Sequence, residues 1–121
     1  MTQASQIDSH AAAQMRRALQ LHRQGAMREA ASVCEAVLRQ QEGYFDAIHL
    51  LGVIHLQSGQ TERGLKLVER AIELRPDEAA GYLSKGNALL ALGRSQEALA
   101  ACDRALELKF VSVTEPLMNG S

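Results

Sequence analysis

The chain of 121 residues has no tryptophan, two tyrosines, two phenylalanines, two prolines and two cysteines. Aromatics amount to 3% of the residues, so the apolar content is mostly alanine and leucine, which favour helix over sheet and argue against an all-β fold. Charge of one sign is also lacking: 13 basic and 14 acidic residues leave a formal charge of −1. With no surplus of lysine and arginine to neutralise phosphates, nucleic-acid binding has little support. No run approaches the roughly 20 consecutive apolar residues needed to cross a bilayer, so membrane insertion is not expected. The stretch from Met1 to Ala13 lacks both a basic head and a continuous apolar stretch, which argues against a secretory leader and makes the cytoplasm the expected location. In that compartment Cys34 and Cys102 are expected as reduced core thiols, separated by more than the roughly 7 Å that a bridge tolerates between α-carbons.

What is present is self-similarity. A shift of 34 residues superimposes Gly25, Gly59 and Gly93, and also pairs Gly52 with Gly86, Leu65 with Leu99, Ala71 with Ala105 and Leu74 with Leu108. Twice that shift pairs Ala30 with Ala98 and Cys34 with Cys102. Each block reads as two helices around a tight turn. In the middle block Ile48, Leu51, Val53, Ile54 and Leu56 supply the apolar side of a first helix that stops at Gly59, a residue tolerant of the left-handed conformation that ends helices. Thr61 is the expected cap of the second helix, which carries Leu65, Val68, Ala71, Ile72 and Leu74 and is closed by Pro76. Asp77 and Ser95 are the corresponding caps expected in the third block, whose helices run over 82–92 and 99–108. In the first block the helices are expected from about Asp8 to Gln24 and from about Met27 to Gln40. Gly52 and Gly86 lie inside first helices, where glycine costs about 1 kcal/mol relative to alanine, so each signals another backbone close by. Ala30, Gly64 and Ala98, early in the second helices, are the opposing small residues.

These residues resemble the tetratricopeptide repeat family. The best match runs from Tyr82 through Gly86, Leu89, Gly93, Ala98 and Cys102 to Ala105, and the second block matches at Ile48, Leu51, Gly52, His55, Gly59, Gly64, Val68, Ala71 and Pro76. The first block is more diverged, with Arg17, Ala18 and Glu42 at family positions for leucine, glycine and proline. The resemblance implies an all-α superhelical solenoid of three helix-turn-helix repeats, 11–44, 45–78 and 79–109, between a flank at 1–10 and a non-repeat tail at 110–121. It further implies that the first helices line a concave groove for an extended or helical segment of another protein. By register the groove residues are Met15, Arg16, Leu19 and His22, then His49, Leu50 and Val53, then Leu83, Ser84 and Asn87. The groove is more apolar than charged, which favours an apolar or mixed segment over a strongly acidic one. Two specialised groove chemistries of the family are absent. The positions of the carboxylate clamp hold Met15, Leu19, Leu50, Ala80 and Ser84, and those of the asparagine ladder hold Arg16, Leu50 and Ser84, leaving Asn87 as a lone groove amide.

Catalysis and cofactors find no support. No phosphate-binding, nucleophile-elbow or zinc-protease motif occurs, so no enzyme activity and no cofactor is expected. No metal site is expected either, because His49 and His55, six residues apart, point about 120° away from each other on a helix. His22 and His49 lie on adjacent helices, where solvated or packed rings are the expectation. Net charge alternates by block, +2, −2 and +1, as a solvated helical surface does. After Lys109 the pattern breaks, with Phe110 where proline is expected and no polar capping helix to follow. Repeat arrays need a terminal cap with a polar outer face, so Leu99, Cys102, Leu106 and Leu108 are expected to leave apolar surface open. Self-association through that end is one consequence. The other reading is the amino-terminal repeat fragment, truncated or frame-disrupted, of a larger bacterial glycosyltransferase or sulfotransferase.

Overall fold

A computed structural model describes the backbone of residues 2–119 and the side chains of residues 10–110. Six helices follow in order: α1 (Thr2–Arg23), α2 (Met27–Gln40), α3 (Phe45–Gln57), α4 (Thr61–Leu74), α5 (Ala79–Ala91) and α6 (Ser95–Asn119). No strand occurs among the described residues. Each helix packs against the next in sequence, and α3 also touches α1 and α5, so the chain is an all-α solenoid of helical pairs.

The turns inside the pairs explain the glycine register. Gly25, Gly59 and Gly93 have φ of 84°, 83° and 77°, the left-handed region where a side chain is strained. At each, the glycine amide donates three residues back and the following amide five back: Ala26 N–H to the Leu21 carbonyl at 2.9 Å, Gln60 to His55 at 2.8 Å and Arg94 to Leu89 at 2.9 Å. This double closure satisfies carbonyls that a helix end otherwise leaves bare. The next helix starts at once, which displaces the expected caps. Gln60 occupies the cap of α4 and Glu78 that of α5, neither with a side-chain cap bond, while Thr61 is already helical and Asp77 lies in the turn. Ser95 likewise begins α6, with the Ala98 amide bonded to the Arg94 carbonyl at 3.0 Å.

Small residues set the spacing within the pairs. A Cβ on Gly52 would lie 3.2 Å from the Gly64 carbonyl, and one on Gly64 would lie 2.8 Å from the Gly52 carbonyl, so α3 and α4 meet backbone to backbone. One pair later a Cβ on Gly86 would meet Cys102 Sγ at 2.6 Å and the Ala98 carbonyl at 3.3 Å. In the first pair Ala18 and Ala30 are fully buried in one cluster with Cys34 and Val37. Further clusters, Phe45 with Ile48 and Ala71, and Leu65 with Ala88, Leu89, Ala98 and Ala101, carry the core along the array. Ala71 and Ala105 are buried, and Pro76 is exposed beyond the end of α4.

Three expectations are corrected. α1 begins at Thr2 and α6 runs on to Asn119, so the segment after Lys109 is helical instead of irregular. It holds no glycine before residue 120, and α6 runs without a break through Pro116. Of the flank and tail, Met1, Gly120, Ser121 and the side chains of 2–9 and 111–119 lie outside the described residues. Cys102 and Leu108 are half-buried, and only Cys34 is a fully buried thiol, because α6 is covered on one side alone.

Candidate functional site

The first helices of the pairs, α1, α3 and α5, lie side by side, and their shared face carries most of the residues selected by register. Arg16, Leu19, Leu83 and Asn87 are exposed, while His22, His49, Val53 and Ser84 are half-buried. Met15 and Leu50 are not on that face. They are 4% and 6% exposed and belong to one core cluster shared by α1, α2 and α3, so the groove assignment is corrected for both.

Two hydrogen bonds tie the three helices together at this face. His22 Nε2 and Gln57 Oε1 are 2.6 Å apart, joining α1 to α3, and His49 Nε2 and Ser84 Oγ are 2.9 Å apart, joining α3 to α5. Both bonds span 35 residues, one repeat plus one, so the same helix-to-helix step is bridged twice. His22 and His49 therefore do not meet; each pairs with the neighbouring helix. His49 also stacks on Phe45, with ring centroids 5.8 Å apart and planes at 9°, and the Arg75 guanidinium lies over the Phe45 ring, 4.7 Å from its centroid. Burial holds the His49 pKa below its ordinary value, against the opposing pull of the Ala80 backbone, Asp46 and Glu78. The neutral ring is thus a fixed part of the floor. This Phe45, His49 and Arg75 stack was missed from sequence because Arg75 sits in a turn, outside any helical stripe; the spacing of Phe45 and His49 by one turn was the available signal.

Between α3 and α5 a cleft of ≈ 240 Å³ opens on the same face. Val53, Leu56, Ala88 and Ala91 form its apolar wall, and Gln57, Ser84 and Asn87 supply polar groups. Leu83 and Leu90, also on α5, are 45% and 63% exposed. An apolar hollow with a few convergent amides and hydroxyls suits a side chain from another molecule, with its backbone held at the polar atoms. Among the described residues no group of three or more His, Cys, Asp or Glu side chains converges, and no helix is long and apolar enough to cross a membrane.

Comparison with known proteins agrees with this architecture. A family model for the tetratricopeptide repeat matches residues 49–109. The peroxisomal targeting signal receptors of Pichia angusta and Candida albicans are each 28% identical to the chain, over 77% and 80% of its length. The chain spans only 16% and 17% of those receptors. Among solved structures, a mutant O-GlcNAc transferase of Thermobaculum terrenum superimposes with a TM-score of 0.83 and 29% identity over 84% of this chain and 20% of that one. A type III secretion translocator chaperone of Yersinia enterocolitica superimposes with a TM-score of 0.79 over 92% of this chain and 85% of its own, at 18% identity, a likeness of fold alone.

Proposed function

Because the chain belongs to the tetratricopeptide repeat family, we propose that it is a non-catalytic protein-binding scaffold whose α1, α3 and α5 face holds an extended or helical segment of a partner protein. The cleft between α3 and α5 carries this reading. Its wall of Val53, Leu56, Ala88 and Ala91 receives one apolar side chain of the segment, and Asn87, with Gln57 at the rim, bonds the segment's backbone. Arg16 and Arg23 at the α1 end make that end of the face basic, so a segment of mixed character, apolar with an occasional acid, fits better than a uniformly acidic one. The support is local geometry: the floor is held by the His22 and His49 bonds, which leave the polar atoms of Asn87 to a ligand. Family precedent supports it too, since the peroxisomal receptors are named for the targeting signal they recognise.

Selection from a displayed library of random peptides tests the reading. Ala91→Glu puts a charged side chain at the mouth of the cleft from an exposed position, and Asn87→Ala removes the amide. Enriched peptides should share an apolar residue, bind the parent protein, lose at least roughly tenfold in affinity to Ala91→Glu, and lose less to Asn87→Ala. Peptides that bind all three proteins equally would remove this face from the account.

A second reading has one specific observation behind it: the likeness to the O-GlcNAc transferase at 29% identity. On that reading the repeats are the recognition array of a larger glycosyltransferase. An open reading frame that continues, in frame or one base shifted, into a catalytic domain would favour it.

A further inference from the structure

We propose that a hollow between the start of α2 and the end of α3 is a second binding site, separate from the groove, that takes a phosphate group.

The repeat supplies its own comparison. At the corresponding place one repeat later, between α4 and α5, Leu65 and Leu89 are buried in one cluster with Ala88, and Leu92 packs against it. Thirty-four residues earlier the same positions hold Ala31, His55, Ile54 and Ser58. Three leucines thus give way to a methyl, an imidazole and a hydroxyl, and a hollow of ≈ 320 Å³ opens there with Ile54 and Met27 in its wall. It shares no lining residue with the cleft between α3 and α5.

Charge changes together with size. In the first turn of α4 the counterpart position carries Glu62, whereas in the first turn of α2 it carries Arg28. Arg28, His55, Ser58 and Gln60 line the hollow, and no carboxylate does. All four can donate, through a guanidinium, a ring N–H, a hydroxyl and an amide. The side chains of Arg28, His55 and Ser58 have no hydrogen-bond or ion-pair partner among the described residues. Gln60 Oε1 accepts from Arg63 Nη1 at 3.3 Å, which leaves the Gln60 amide N–H groups to a ligand. One fixed cation and four donors without an opposing acid suit an oxyanion. A phosphate, with three acceptor oxygens and close to two charges, uses more of them than a carboxylate with its two oxygens. The same chemistry is met in the free ion and in a phosphorylated side chain, whose carbon atoms would rest on Met27 and Ile54.

Titration of the isotope-labelled full chain with inorganic phosphate near neutral pH, followed by chemical shifts at constant ionic strength, tests the site. Resonances of Arg28, Ala31, His55 and Ser58 should move together and half-saturate at about 10 mM or below, while chloride leaves them in place. Ser58→Leu puts back the counterpart's residue at an exposed position without altering charge, and Arg28→Glu puts back the counterpart's acid. Each should keep the parent circular dichroism spectrum and weaken phosphate binding at least roughly tenfold. A short phosphoserine peptide identifies the source: binding at least roughly tenfold tighter than inorganic phosphate assigns the site to a phosphorylated partner, and equal or weaker binding assigns it to the free ion. Shifts that chloride reproduces, shifts that never saturate, or an affinity that either substitution leaves unchanged would overturn the proposal.

Discussion

Replacing Gly64 by alanine sets two physical effects against each other with calculable sizes. On intrinsic preference the change is favourable, since alanine inside a helix is better than glycine by about 1 kcal/mol. Packing opposes it. The new Cβ would stand 2.7 Å from Leu56 Cδ2 and Cγ and 2.8 Å from the Gly52 carbonyl oxygen. Leu56 is half-buried and its side chain can swing away, but the Gly52 oxygen belongs to the backbone of α3. Relieving that contact means moving one helix off the other along the seam where Gly52 and Gly64 meet. Because the hard contact is with backbone, the overpacking cost falls in the upper part of the usual range, about 2–3 kcal/mol, so the net effect is a loss of about 1–2 kcal/mol, or a melting point lower by roughly 3–10 °C for a chain of this size. Gly86→Ala is the matched control. Its short contact, 2.6 Å, is to Cys102 Sγ, the end of a half-buried side chain, and the backbone oxygen of Ala98 is farther at 3.3 Å. Cys102 can rotate outward, and the loss should stay below about 1 kcal/mol. Thermal and urea unfolding followed by circular dichroism measure all three proteins. An alanine at 64 that stabilises the chain, or two substitutions of equal effect, would refute the backbone contact between α3 and α4.

Gly59→Ala should destabilise by about 1–2 kcal/mol although nothing lies within 4 Å of the new Cβ, because φ is 83° there; Gly59→Asn should recover part of the loss in the same melts. The Cys34 thiol, pushed up to about 12 from 9.0 by burial and then by Glu35, stays protonated in the folded chain while the unfolded chain ionises. Stability should therefore fall by about 1.4 kcal/mol per pH unit between pH 9 and 12, and Cys34→Ala should flatten that decline. Iodoacetamide near neutral pH should label Cys102 before Cys34, which mass spectrometry of the digest reads directly. His49 is depressed below 6.5, so below that pH the unfolded chain binds a proton that the folded one refuses. Its contribution is intact above pH 6.5 and is lost on acidification; in a proton NMR titration its ring should titrate below the ordinary histidine value of 6.5.

The fold was legible because its punctuation is chemically demanding. Only glycine sits comfortably at φ near 80°, so Gly25, Gly59 and Gly93 had to recur wherever the turn recurs, and Gly52 and Gly86 had to recur where helices touch. The caps were misread for the opposite reason: a turn that closes itself with backbone bonds leaves little for Thr61, Asp77 or Ser95 to do. The binding face was only partly legible. α3 is covered by α2, α4, α1 and α5, so it is apolar nearly all round, and periodicity cannot separate Leu50, which faces a seam, from Val53, which faces the cleft. The His22 to Gln57 and His49 to Ser84 bonds were visible only as a spacing one greater than the repeat, a signal that needs the helix pairing to interpret it.

The measurement that addresses the account most directly is chemical-shift mapping of the labelled chain with a library-selected peptide. Resonances of Val53, Gln57, Asn87 and Ala91 should move together and saturate with one affinity, and the same peptide should leave the Ala91→Glu spectrum unchanged. Shifts confined to the outer sides of α2, α4 and α6, with the cleft residues silent, would contradict it.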